Sequence, residues 1–223
     1  MFARFVPTGP RPKSGRPIWS ITSDSADCYG VFNLTRLADV LKALSRALAE
    51  EGVRWYVFGA QAVVAYGRPR LTTDVDITVE LSLDEAERFA DRLRAHGFFP
   101  RESDGPNRIE RTRVLLLVHE SSGFPVDLVI AGPGLEMSFL EMAKPLDLSG
   151  VQVPVIDPAD LITTKLLAGR PQDLEDVRGL LLERKVEVDL ERTRDTLKMI
   201  EQALDRGDLL PELERLLEAT KED

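Results

Sequence analysis

The chain has 223 residues, 43% hydrophobic and 30% charged, an ordinary globular composition for one good-sized domain or two small ones. Its formal net charge of −9 argues against non-specific affinity of the whole molecule for nucleic acid or anionic membrane, while leaving room for a local basic cleft. The lone Cys28 excludes an internal disulfide and a cysteine-built zinc site, and neither a membrane span of ~20 apolar residues nor a signal-peptide core is present, so a soluble, cytoplasmic protein is expected.

Residues 1–30 carry Arg4, Arg11, Lys13 and Arg16, no acid before Asp24, and several prolines and glycines, a composition that predicts a disordered tail. From Asn33 to Glu51, Leu37, Val40, Leu41, Leu44 and Leu48 recur at helical spacing, and Gly52 closes the helix. Trp55 to Phe58 reads as a short apolar strand, Gly59 as a turn and Gln61 to Tyr66 as a small-residue helix. A polar connection, Gly67 to Thr73, leads into a second strand bearing Asp74 and Asp76. Leu83 to His96 is amphipathic, with Ser82 as its expected N-cap, Glu85 three residues on, and Gly97 at its end. Residues 101–113 are polar and read as a loop. Val114 to Val118 and Val126 to Ile130 read as buried strands joined by a turn at Glu120 to Gly123. A helical segment, Leu135 to Ala143, precedes a hairpin, Leu146 to Val155, turning at Ser149-Gly150. Asp157-Pro158 opens a helix running to Ala168, stopped by Gly169 and Pro171, and helices follow at 172–184, 189–206 and 211–220. This order predicts an α/β fold. A small mixed sheet flanked by helices occupies 31–156, and a C-terminal helical bundle follows over 157–223.

The chemistry concentrates around the second strand. Residues two apart on a strand share a face, so Val75, Ile77 and Val79 point to the core while Asp74, Asp76 and Thr78 point away from it. Adjacent carboxylates repel, and a divalent cation relieves the repulsion; hard oxygen ligands suit magnesium. Asp127 lies in the otherwise apolar stretch Phe124 to Ile130, where an unpartnered carboxylate is costly to desolvate. If its strand pairs beside that of Asp74 and Asp76, three carboxylates converge and can hold two magnesium ions. Backbone N–H groups at Gly59 and the following helix start can receive a triphosphate, and Arg70 is near enough in sequence either to add charge there or to balance the acids.

The residues G-A-Q-A at Gly59 to Ala62, R-x-T-x-D-x-D at Arg70 to Asp76, and Asp127 in a later strand resemble the polymerase-β-like nucleotidyltransferase superfamily. The likeness is to its small bacterial branch, which includes minimal nucleotidyltransferases and abortive-infection toxins. The segment Lys165 to Val177 is similar to the one that follows the catalytic domain in that branch, and the resemblance spans roughly residues 33–185. It implies an enzyme that moves a nucleoside monophosphate from a nucleoside triphosphate to an acceptor hydroxyl, with magnesium, and releases pyrophosphate. Asp74, Asp76 and Asp127 would be catalytic and metal-binding, with Asp127 also helping to deprotonate the acceptor. Gly59, Ala60, Arg70 and Lys165 would bind the nucleotide, ATP or another triphosphate. The acceptor stays open among transfer RNA, protein and a small molecule such as an aminoglycoside, as does a cognate toxin or antitoxin partner.

One departure stands out. The family's turn is usually Gly-Gly or Gly-Ser, and Gly59-Ala60 keeps the N–H donors while lacking a serine hydroxyl. A catalytically weak or inactive nucleotide- or protein-binding module is therefore the alternative reading. Arg170 and Asp173 read as locks of a helical turn, Asp176 as a partner of Arg170 or Lys165, and His96 and His119 as structural.

Overall fold

The computed structural model describes residues 24–68, 70, 72–101 and 108–221. Its elements are α1 (Asp24–Glu50), β1 (Trp55–Phe58), α2 (Gly59–Ala65), β2 (Val75–Val79), α3 (Ala86–Leu93), β3 (Phe98–Pro100), α4 (Arg108–Thr112), β4 (Val114–His119), β5 (Phe124–Ile130), α5 (Leu135–Met142), β6 (Lys144–Leu148) and β7 (Val151–Val155). Four helices complete the chain: α6 (Pro158–Ala168), α7 (Pro171–Leu182), α8 (Leu190–Leu204) and α9 (Leu209–Ala219). The strands form one mixed sheet in the order β3-β4-β5-β2-β1-β7-β6. β2 runs parallel to β5 and β1 to β7, and the other neighbours are antiparallel. The α/β architecture with trailing helices is the expected one.

Alternation decides which face of β5 is covered, whereas Tyr56 of β1 and Thr78 of β2, on the face opposite Val57 and Ile77, are buried as well. Phe124, Val126, Leu128 and Ile130 of β5 are buried together with Val75, Ile77 and Val79 of β2. They meet Val40, Leu41, Leu44 and Leu48 of α1, each fully enclosed. Pro125, Asp127 and Val129 stand on the other face and stay partly open to water. At about 25 cal/mol per Å² of apolar surface removed from water, this packing is the dominant favourable contribution to the fold.

Local signals place the helix ends. Asp157 Oδ1 accepts from the Ala159 backbone N–H at 3.1 Å, Pro158 fills the first helical position, and Gly169 closes α6 in the left-handed region. Four expectations need correction. α1 begins at Asp24 rather than Asn33, so residues 24–30 of the expected tail are helical; residues 1–23 lie outside the described residues. Ser82 does not cap a helix, because its Oγ donates to Glu85 Oε2 at 2.8 Å and the chain enters α3 through a 3-10 turn over Leu83–Glu85. The loop expected at 101–113 contains α4, while residues 102–107 lie outside the described residues. β3 was not expected: three residues are too few to show alternation, and pairing to β4 is what makes them a strand.

The core does not divide at residue 156. Leu161, Ile162 and Leu166 of α6, Val177 and Leu180 of α7, Leu197 of α8 and Leu213 of α9 belong to the same buried cluster as the sheet. Among the described residues, no helix is long and apolar enough to cross a membrane.

Candidate active site

The sheet brings the acids together. Asp76 on β2 is the register partner of Asp127 on β5, and on its other side Asp76 faces Phe58, the last residue of β1. Asp74 was expected on the strand but lies in the bend just before it. Its position is fixed by side chains instead. Thr72 Oγ1 donates to Asp74 Oδ1 at 2.7 Å, and the Gln61 amide of α2 donates to the Asp74 carbonyl at 3.3 Å. One carboxylate oxygen from each of Asp74, Asp76 and Asp127 lies within 4.8 Å of the others. Burial and the neighbouring Asp74 and Asp127 push the Asp76 carboxyl up to about 6, against a weaker downward pull from Lys165 and Arg70. Three oxygens this close, on half-buried carboxylates, form the donor set a hard divalent cation requires.

Gly59 is demanded twice over. Its φ of +64° is the left-handed conformation, and a Cβ there would stand 2.1 Å from Asp76 Oδ2. The glycine thus turns the chain from β1 into α2 and leaves room for the Asp76 carboxylate. No side chain caps the start of α2, which follows Phe58, and Ala60 is buried in its first turn.

The basic residues form a second layer. Lys165 of α6 is buried, and its Nζ donates to Asp173 Oδ1 at 2.9 Å and Asp176 Oδ2 at 2.8 Å, both on α7. Arg170 Nε donates to Asp173 Oδ2 at 2.5 Å. Burial raises the Asp173 carboxyl, but its bonds to Arg170 and Lys165 outweigh that and hold it below the usual carboxylate range. Arg70 Nη1 lies 2.8 Å from Asp176 Oδ2 without hydrogen-bond alignment, so the contact is one of charge, and its buried Nε has no hydrogen-bond partner among the described residues. Arg68, within the polar connection expected at Gly67 to Thr73, lies against α7: a Cβ on Gly179 would meet its Nε at 2.5 Å. Positions 176 and 179 lie on one stripe of α7, so this helix holds the connection between α2 and β2.

Two side chains that contact the acids' carboxylates were missed in the sequence. Thr72 orients Asp74, and Arg101, just past β3, forms an ion pair with Asp127. Thr72 sits inside the quoted motif, so its spacing held the signal; Arg101 stood in a stretch that read as loop and carried none. The histidines are structural. His96 Nδ1 lies 3.8 Å from Glu50 Oε2, and the buried His119 ring contacts Ser122 Oγ at 2.8 Å, with burial lowering its pKa.

A family model described as nucleotidyl transferase of unknown function (DUF2204) matches residues 36–207. No curated protein matches the sequence significantly. Among solved structures, an antigenic nucleotidyltransferase-like protein from Paracoccidioides brasiliensis is similar at 17% identity and a TM-score of 0.50, covering 81% of this chain and 93% of that one. ANT(2'')-Ia in complex with adenylyl-2''-tobramycin is similar at 16% identity and a TM-score of 0.48, covering 84% and 98%. A Helicobacter pylori protein, JHP933, follows at 13% identity and 0.44, covering 85% and 90%. At such identities likeness speaks to the fold alone, and the Paracoccidioides structure carries that point.

Proposed function

The chain belongs to the family of nucleotidyl transferases of unknown function (DUF2204), and we propose that it is a magnesium-dependent enzyme that moves a nucleoside monophosphate from a nucleoside triphosphate to an acceptor hydroxyl, releasing pyrophosphate. The observation that carries this reading is the convergence of Asp74, Asp76 and Asp127, with oxygens within 4.8 Å of one another and Asp76 and Asp127 on register-paired strands.

Each residue has a role in the proposal. Asp74 and Asp76 hold the cations, with Thr72 and Gln61 keeping Asp74 in place. Asp127 shares a cation and accepts the proton that the attacking hydroxyl loses. The backbone of Gly59 and Ala60, where no side chain caps the helix, receives phosphate oxygens. Arg70, with its unaligned N–H groups, and Lys165 lend positive charge on the triphosphate side. Bound magnesium would neutralise the charge that develops on the transferring phosphoryl group. The new bond joins the acceptor oxygen to the α-phosphorus, and the α–β bridge breaks to release pyrophosphate.

The acceptor, whether transfer RNA, protein or a small hydroxylated molecule such as an aminoglycoside, belongs to this proposal only as a hydroxyl. A cytoplasmic setting belongs to it as well, as does a catalytic part at 31–156 whose buried cluster is shared with the helical part at 157–223. One observation favours a second reading, a weak or inactive binding module of a toxin–antitoxin pair: Lys165 and Arg101 are already engaged by the protein's own carboxylates.

Calorimetry with each of the four nucleoside triphosphates, with and without magnesium, tests the nucleotide site, and pyrophosphate release on turnover separates the enzyme from a module that binds without reacting. The expected result is magnesium-dependent binding that disappears in an Asp74→Ala, Asp76→Ala double variant. Binding to no triphosphate would sink the enzyme and leave the binding module.

A further inference from the structure

A row of residues crosses the sheet at one level. The Arg101 backbone N–H donates to the Leu116 carbonyl at 2.9 Å, Leu116 is the register partner of Asp127, and Asp127 is the partner of Asp76. Arg101 thus stands two strands away from Asp127, and its side chain spans β4 to reach the carboxylate. Among the described residues, Asp127 is its one ion-pair partner, and its buried Nε makes no hydrogen bond. The other cations whose charge reaches Asp76 are held elsewhere: Lys165 and Arg70 by Asp176, and Arg170 by Asp173. Among the described residues, Arg101 is therefore the cation that touches the acid cluster directly.

We propose that Arg101 is a tethered counter-ion that a divalent cation must displace from Asp127. The inference rests on the assignment of Asp74, Asp76 and Asp127 as cation ligands. A guanidinium and a divalent ion drawn to one carboxylate repel each other, so the two occupy it in exchange. Without a cation, Arg101 relieves the repulsion among the three acids and keeps the site folded. The same contact opposes loading of the cation that Asp127 would share, so that cation binds weakly until a nucleotide brings further ligands. Once displaced, the guanidinium has no remaining ion-pair partner among the described residues and is free to meet a phosphate or an anionic acceptor at this edge.

The test is a calorimetric titration of the full chain with manganese alone, used as the probe, on the wild type, Arg101→Gln, Arg101→Lys and Asp127→Asn. The expected result is manganese binding about 3- to 30-fold tighter in Arg101→Gln and intermediate in Arg101→Lys. Adding Arg101→Gln to Asp127→Asn should produce no gain, because the contested carboxylate is gone. Metal-free melting curves of each variant establish folding, and Arg101→Gln should melt below the wild type. Unchanged or weaker manganese binding in a folded Arg101→Gln chain would overturn the counter-ion role and leave the catalytic assignment standing. No manganese binding by any variant, the wild type included, would overturn both.

Discussion

Asp76 sits at the point where stability and the proposed function pull in opposite directions. Its carboxyl ordinarily titrates near 3.8 and is pushed up to about 6 by burial and by Asp74 and Asp127. A raised folded-state pKa means that the folded chain binds the proton more tightly than the unfolded chain. The stabilisation is complete below about pH 4 and is lost as pH rises through about 6, amounting to at most about 3 kcal/mol. Without divalent cation, melting temperature should therefore step downward over that interval, and Asp76→Asn should remove the step and melt higher at pH 7; a pH series of thermal melts in chelator checks both. The same variant should lose transfer activity, since a neutral amide is a poor cation ligand. Gly59→Ala tests the neighbouring constraint. A left-handed alanine costs about 1–2 kcal/mol, and its Cβ would displace the Asp76 carboxylate from 2.1 Å away. A lower melting temperature with activity down at least about 100-fold is expected, and a fully active Gly59→Ala protein would refute the close approach.

At the scale of elements, α6 and α7 are coupled through a buried charge pair rather than through packing alone. Lys165 has only 6% of its side chain exposed, and Asp173 only 2%. Removing one partner of such a group strands the other away from water, so Lys165→Met should cost about 3–5 kcal/mol. Arg170 contacts the same Asp173 but is 75% exposed, and Arg170→Ala should cost less than about 1 kcal/mol. Denaturant unfolding of the two variants side by side measures the contrast. The sequence made this region legible because the partners lie eight and eleven residues from Lys165, within two helices announced by Pro158, Gly169 and Pro171. β1, α2, β2 and the Asp74–Asp76 pair were legible for the same reason, since turn chemistry and alternation act over short spans. Arg101 was not legible, because it meets Asp127 only after β3, β4 and β5 have paired. Ser82 misled because a serine three residues before a glutamate satisfies the capping pattern while its hydroxyl bonds the carboxylate instead.

Across the molecule, the described residues share a buried cluster that ignores the boundary at residue 156 suggested by the change from mixed to all-helical sequence. A chain ending at Ile156 would lose Leu161, Ile162, Leu166 and the other helical members of the shared buried cluster, and it should show no cooperative thermal transition by circular dichroism; a sharp transition would establish two independent domains. The sequence conveyed the composition of each half but not their shared interior, which depends on contacts between residues more than a hundred positions apart. The pairing of β2 with β5 carries a last consequence. Because Asp76 and Asp127 are register partners, their separation is inherited from the pitch of the backbone ladder, not from the shape of any side chain around them. A slip of one residue would turn Asp127 inward and bring Val126 or Leu128 out beside Asp76. Errors in strand pairing therefore give molecules without the three-acid cluster rather than molecules with a distorted one, and the ladder acts as its own proofreader for that cluster.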